Sequence, residues 1–169
     1  MSFVIREALL DDAYSLAEIL SYSWISSYKD IIPIQELEYQ TNIQRRQEMF
    51  ETLLATTEAN IYISINDNIP CGEIVFCDSR DRDLIDYGEI VSIYLLEEYW
   101  GKGFGMKMMS FALRTMQQNN YSSVFLWVFK DNKRAIRFYE KLGFIKDGTE
   151  KISIFSNQAV EIRYRLNLF

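Results

Sequence analysis

Histidine is absent from the 169 residues of this chain, which removes His-based triads, imidazole general bases and the usual zinc sets. Proton transfer is left to carboxylate, tyrosine, cysteine, lysine or water. There are only two cysteines, Cys71 and Cys77. On one extended strand they would stand roughly 20 Å apart, too far to bridge, so both are expected as thiols. With two prolines and no repeat or low-complexity tract, no linker is apparent. The longest apolar stretches are broken by charge well before the ~18 residues a membrane span requires. The start, Met1-Ser-Phe-Val-Ile-Arg-Glu7, lacks a basic-then-apolar leader pattern. A cytoplasmic protein with no membrane partner is expected.

A chain that is 49% hydrophobic and 15% aromatic has enough apolar surface for one sizeable core, so residues 1–169 are expected to form a single domain. The formal net charge of −6 argues against a nucleic-acid binder, which needs a basic stripe to track phosphates. It fits a basic acceptor better, although acidity can also serve solubility alone.

Periodicity gives a mixed α/β order. A strand is expected over 2–8, then a helix opening near Asp11 or Asp12 whose Ala13, Leu16, Ala17, Leu20 and Trp24 recur at helical spacing. A second helical region runs from about Pro33 to Thr57, with a break near Thr41-Asn42; its Ile43, Met49, Phe50, Leu53 and Leu54 can face inward. Strands at 61–65 and 69–76 flank the turn Asn66-Asp-Asn68. The acidic stretch 78–83 reads as an exposed loop before a central strand over 87–96. A helix over 103–118 follows, then a buried parallel strand over 123–129 and a helix from Asn132, with Gly143 placed to cap it. Strands containing Ile152 and Ile154, then Val160 to Leu166, are expected to close the fold as a hairpin around Ser156-Asn-Gln158.

Two segments carry the chemistry. The first is the hydrophobic strand Glu89-Ile-Val-Ser-Ile-Tyr-Leu-Leu96, running into Trp100-Gly-Lys-Gly-Phe-Gly105 and a helix. Three alternate glycines at such a turn let the backbone approach a ligand, and the free N–H groups of a helix start suit a pyrophosphate. The glycine spacing is that of neither the dinucleotide fingerprint nor the P-loop. The second is Asn132-Lys-Arg-Ala-Ile-Arg-Phe-Tyr139-Glu-Lys-Leu-Gly143-Phe144, directly after the second buried strand. On a helix, Asn132 and Tyr139 fall on nearly the same face about 10 Å apart, within reach of one elongated ligand.

In order, spacing and strand context these segments resemble the acetyl-CoA-binding and neighbouring motifs of the GNAT family of N-acetyltransferases, and the resemblance spans essentially the whole chain. It implies the acyl-CoA N-acyltransferase fold, in which two central parallel strands splay apart and the pantetheine arm lies between them. It also implies acetyl-CoA as cosubstrate, an amine acceptor and no metal. The pyrophosphate would rest on the backbone N–H groups of Gly101, Lys102, Gly103, Phe104, Gly105 and Met106. Here the chain departs from the pattern. Trp100 stands where Arg or Gln is usual, and Met106 where many relatives carry a hydroxyl or a basic group, losses that Lys102 or Lys107 can offset.

By the same resemblance Ile93 and Leu95 would pair the pantetheine amides, with the Leu95 N–H polarising the thioester carbonyl, and Asn132 would hydrogen-bond the pantetheine. Tyr139 would protonate the leaving thiolate. Since an alkylamine of pKa near 10 is almost wholly charged at neutral pH, a base is needed. Glu89 stands in the register of the glutamate that serves so in the histone-acetylating branch, with Asp86 or a water relay as alternatives. Trp24 and Tyr28, with Tyr22, would line the acceptor side. A homodimer is left open, and a non-catalytic acyl-CoA sensor built on the same pocket is the competing function.

Overall fold

The computed structural model describes residues 2–169. Seven strands form one mixed sheet in the order β1-β2-β3-β4-β5-β7-β6. In chain order, β1 (Phe3–Glu7) is followed by α1 (Ala13–Tyr28), α2 (Ile34–Gln40) and α3 (Ile43–Leu54). The break expected at Thr41-Asn42 lies between α2 and α3. Its cause is local: the Asn42 side chain accepts from the Arg45 N–H at 2.9 Å and caps α3. The hairpin of β2 (Asn60–Asn66) and β3 (Ile69–Asp78) closes over Asp67 and Asn68, both at positive φ, the conformation a two-residue turn of the right twist demands.

β4 (Gly88–Leu95), α4 (Phe104–Gln118), β5 (Ser123–Phe129) and α5 (Lys133–Lys141) follow as expected, and β6 (Ile145–Ile152) and β7 (Val160–Asn167) close the sheet. The closing hairpin differs from its expectation in extent. β6 begins directly after Phe144, and Ile154 lies beyond its end, 84% exposed. The stretch Lys146 to Lys151 is polar and contains Gly148 at φ +93, so on an edge strand it carries no hydrophobic alternation to read. β5 is parallel to β4 on one side but antiparallel to β7 on the other.

What positions the site is the incomplete pairing of β4 with β5. Only Gly88, Glu89 and Ile90 pair, with Val124, Phe125 and Leu126. Beyond them β4 continues along β3 and β5 along β7, opening a wedge. A register shift marks the point of departure: Val75 pairs with Ser92 but Phe76 with Ile90, leaving Val91 as the extra residue of a bulge.

Each face of the sheet has its own core. On one, Leu16, Leu20 and Trp24 of α1 and Phe50 of α3 pack on Ile61, Ile63 and Val75. On the other, Met108, Met109 and Met116 of α4 pack on Ile74, Phe76 and Leu126. Burying a large apolar side chain of this kind is worth about 1.5–3 kcal/mol. Cys71 and Cys77 are both buried in β3 as free thiols. Among the described residues no helix is long and apolar enough to cross a membrane.

Candidate active site

Two cavities flank the open end of β4 and share Ile93, Tyr94, Ala135 and Tyr139 in their walls. The larger, about 420 Å³, runs from the glycine turn past Leu95 to α5. The smaller, about 150 Å³, lies on the α1 side of the sheet and contains Glu89, Ser92 and Glu161. Tyr139 stands where they meet.

The glycine turn is built as an anion cradle. Gly101 and Gly103 have φ of +72° and +80°, which a side chain resists, and a Cβ at either would meet nothing within 4 Å. Gly103 also occupies the N-cap of α4, with no side-chain cap. The first intrahelical bond runs from Lys107 N to Gly103 O at 3.2 Å. The N–H groups of Phe104, Gly105 and Met106 therefore precede the helical ladder and are free for a ligand. Helix and turn thus bring together Gly101, Gly103, Gly105 and Met106 in the wall of the larger cavity. Lys102 and Phe104 are not in that wall: the Lys102 ammonium lies 5.5 Å from the Tyr99 ring centroid, and Phe104 stacks on Phe3 at 4.4 Å. Lys107 sits over the same Phe3 and Phe104 rings.

The absent Arg or Gln before the turn has a structural counterpart that the sequence did not reveal. Trp100 donates its indole N–H to the Leu95 carbonyl at 2.7 Å, tying the turn to the end of β4. The Arg134 guanidinium of α5 lies 3.4 Å over the same indole and lines the larger cavity. Its side chain hydrogen-bonds Ser27 Oγ at 3.3 Å, and burial works against its charge, so this cation faces an anion-shaped groove with no carboxylate ion pair among the described residues.

Backbone direction on β4 follows from its pairing. Leu96 N–H donates to Cys71 O on β3 at 2.9 Å. Alternation along the strand then turns the N–H groups of Ile93 and Leu95 the other way, into the wedge. Asn132 caps α5, its Oδ1 accepting from Ala135 N at 3.2 Å; its amide N–H groups remain as donors in the wall of the smaller cavity. Gly143, at φ +91, ends α5, and Phe144 N–H returns to Tyr139 O at 3.1 Å. Tyr139 is thereby gripped between Phe138 and Phe144, with ring centroids 5.5 and 5.8 Å away.

Three tyrosines converge here. Tyr28 and Tyr94 share a hydroxyl–hydroxyl bond of 3.0 Å, and Tyr139 lies near enough to Tyr28 that ionising one would oppose ionising the other. Burial raises all three, Tyr28 to about 12, so each holds its proton at neutral pH. Trp24 and Tyr28 line the smaller cavity. Tyr22 does not: it is 49% exposed on the outer side of α1, since two residues before Trp24 is the opposite face of a helix.

Glu89 is 3% exposed and wholly engaged. Arg80 donates to its Oε2 from the backbone at 3.1 Å and from Nε at 2.9 Å, and to Oε1 from Nη2 at 2.6 Å. Arg80 is delivered by the acidic loop, which is clamped rather than free. Buried Arg163 of β7 bonds Asp81 and Asp83 in the loop and Asp147 of β6, at 2.9, 2.6 and 2.7 Å. Asp86, the alternative base, lies in that loop and is not in the wall of either cavity. On the same sheet face Glu161 accepts from Ser153 Oγ at 2.8 Å and pairs with Lys151 at 3.5 Å. Tyr94, Arg134, Glu161 and the Arg80 clamp were not anticipated. Only Tyr94 carried a signal, its place on the central strand.

Comparison with known proteins accounts for this arrangement. Residues 22–144 match the model of the acetyltransferase (GNAT) family. The uncharacterized N-acetyltransferase YuaI of Bacillus subtilis is 28% identical over 137 residues, covering 80% of this chain and 76% of that protein. The spermidine N(1)-acetyltransferase of Thermoplasma acidophilum is 23% identical over 154 residues, covering 89% and 92%. In fold, the PaiA N-acetyltransferase of Thermoplasma acidophilum, solved in complex with coenzyme A, superposes with a TM-score of 0.81 at 20% identity over 98% of this chain and 100% of that one. With a splayed β4–β5 wedge, a glycine cradle at its mouth and a family match over most of its length, this chain belongs to the acetyltransferase (GNAT) family.

Proposed function

We propose that this N-acetyltransferase moves acetyl from acetyl-CoA to a cationic primary amine, a small amine, polyamine or basic peptide, by direct attack and without a covalent enzyme intermediate. The observation that carries this is the meeting of two unlike cavities at Tyr139: an anion cradle on one side, and on the other a small chamber with Glu89 and Glu161 in its wall.

The residues present fit coenzyme A. The turn N–H groups and Arg134 would hold its phosphates, Asn132 and the wedge-facing groups of Ile93 and Leu95 its pantetheine amides, which hydrogen-bond as a strand would. The cosubstrate supplies an activated acyl group. The chain's own part is to position it, polarise its carbonyl with the Leu95 N–H, and give the departing sulfur a proton from Tyr139, which burial keeps protonated.

Aromatic walls from Trp24, Tyr28, Trp127 and Phe129 suit an alkylammonium by cation–π attraction. Glu89 and Glu161 supply the opposite charge. Arg80 and Lys151, which occupy those carboxylates, have side chains 63% and 40% exposed, so an incoming ammonium competes with cations that solvent readily receives. A spermidine acetyltransferase among the relatives agrees with such an acceptor. The chemistry fits a cytoplasmic enzyme, where acetyl-CoA is made available.

An acceptor panel tests the reading. At low salt, spermidine and lysine-containing peptides are expected to outperform glutamate in kcat/KM, and the margin should shrink as ionic strength rises past about 0.1 M, where screening sets in over about 10 Å. Tight acetyl-CoA binding with no amine acetylated would instead favour a sensor.

A further inference from the structure

The acetyl-transfer reading above requires that an ammonium lose a proton, and Glu89 has every oxygen taken by Arg80. Glu161 is likewise engaged, by Ser153 and Lys151, and a third carboxylate lies behind the chamber wall. Glu73 of β3 is 0% exposed. Its Oε2 accepts from Ser92 Oγ at 3.1 Å, and its Oε1 has no hydrogen-bond partner among the described residues. Ser92 follows the Val91 bulge and is itself part of the chamber wall. One hydroxyl thus joins the chamber to a carboxylate whose other oxygen accepts no hydrogen bond from the described residues.

We propose that Glu73 is the proton acceptor for the amine, acting through Ser92. The ammonium passes a proton to Ser92 Oγ while the serine's own proton moves to Glu73 Oε2. The neutral amine then attacks the thioester carbon, the C–S bond breaks with its electron pair leaving on sulfur, and the Tyr139 phenol protonates that sulfur. The new amide nitrogen still carries one proton too many, and returns it to the Tyr139 phenolate. One proton therefore remains on Glu73, matching the single proton the overall reaction releases, and leaves to solvent by the same hydroxyl.

The surroundings suit the role. Facing Glu73 are Tyr94 of β4, Tyr28 of α1 and Arg46 of α3. Both tyrosines stay neutral, and Arg46 is turned to Gln40, bonding its carbonyl at 2.5 Å and its side-chain oxygen at 2.9 Å, without an ion pair to Glu73. β2 contributes apolar Ile63 opposite. Burial, outweighing the Ser92 bond and the Arg46 charge, pushes Glu73 up to about 7, where a general base is most effective at neutral pH.

The test is the pH profile of kcat/KM with the best amine of the panel, for wild type, Glu73→Gln, Ser92→Ala, Ser92→Thr and Glu89→Gln, each first checked for an acetyl-CoA thermal shift. Wild type should rise from acid and level near pH 7. Glu73→Gln and Ser92→Ala should lose that plateau and climb toward the amine's own pKa. Their deficit should be roughly 10²-fold at pH 7, typical of a lost general base, and close by about pH 10. Ser92→Thr, keeping the hydroxyl, should restore the plateau. Glu89→Gln should lower the rate and weaken its salt dependence while leaving the acidic limb in place. If Glu73→Gln keeps the plateau, or Glu89→Gln alone abolishes it, the relay is wrong while acetyl transfer stands. If wild type acetylates no amine, both fall.

Discussion

The guanidinium of Arg134 lies 3.4 Å over the indole of Trp100, so a residue of α5 supplies positive charge beside a turn that lacks the family's usual Arg or Gln. If Arg134 contacts a phosphate, Arg134→Ala should weaken acetyl-CoA binding about tenfold, the low end of what a charged hydrogen bond contributes. Arg134→Lys should recover only part, because an ammonium keeps the charge but loses the planar stack. Isothermal titration reads both; unchanged affinity in Arg134→Ala would reduce the pair to packing.

Coenzyme A at a hundred times its dissociation constant should stabilise the fold by about 2.7 kcal/mol. For a chain of this size that is a rise in Tm of roughly 5–10 °C. NAD should give none. Gly103→Glu should erase the coenzyme A shift, since φ of +80 strains any side chain there and the new charge faces the phosphates.

Tyr139→Phe should lower kcat roughly 10²-fold with little change in KM for acetyl-CoA, because a donor that acts on the departing sulfur works in the transition state. Full kcat in the variant would make Tyr139 a packing residue between Phe138 and Phe144.

Glu73 also leaves a signature in stability. Its carboxyl lies at about 7 in the folded state against an ordinary 4.5, so between those values the native chain holds a proton that the unfolded chain has lost. Stability should then fall as pH rises from about 5 through 7, the reverse of the usual carboxylate. Urea midpoints should be higher at pH 5.5 than at pH 8, and Glu73→Gln should flatten that slope and raise the pH 8 midpoint. A slope that survives the substitution would assign it to another group.

Acid should act through Asp147, where burial pushes the carboxyl up but the Thr149 N–H and Arg163 together hold it below the ordinary carboxylate range. A depressed carboxyl contributes stability above its unfolded value and loses it as pH falls through the folded one, so unfolding should set in below about pH 4. Arg163→Met should destabilise the fold by less than the roughly 3–5 kcal/mol of a fully stranded buried charge, since Arg165 still pairs with Asp147 at 3.1 Å. It should also release the loop that carries Arg80, which hydrogen exchange at residues 79–87 would detect.

Local chemistry wrote much of this protein into its sequence. Gly101 and Gly103 announce a left-handed turn, Asn42 and Asn132 announce helix starts, and Gly143 an end, because each conformation is imposed by one residue and its near neighbours. The hydrophobic periods of α1, α4, β4 and β5 were legible for the same reason. Of β6 only the end at Ile152 was, because an edge strand needs no apolar alternation.

The site's chemistry was decided by pairing across the sheet. Strict alternation from Glu89 would put Val91, Ile93 and Leu95 on its face of the strand. The bulge at Val91 reverses that, so Glu89, Ser92 and Tyr94 look into one chamber opposite Cys77, Val75 and Glu73 of β3. Arg80 reaches Glu89 from a loop that Trp127 and Arg163, some eighty residues on in sequence, clamp through Asp81 and Asp83. Sequence determined which groups are present and how each segment folds; register, a long-range property of two strands, determined which of those groups can exchange a proton.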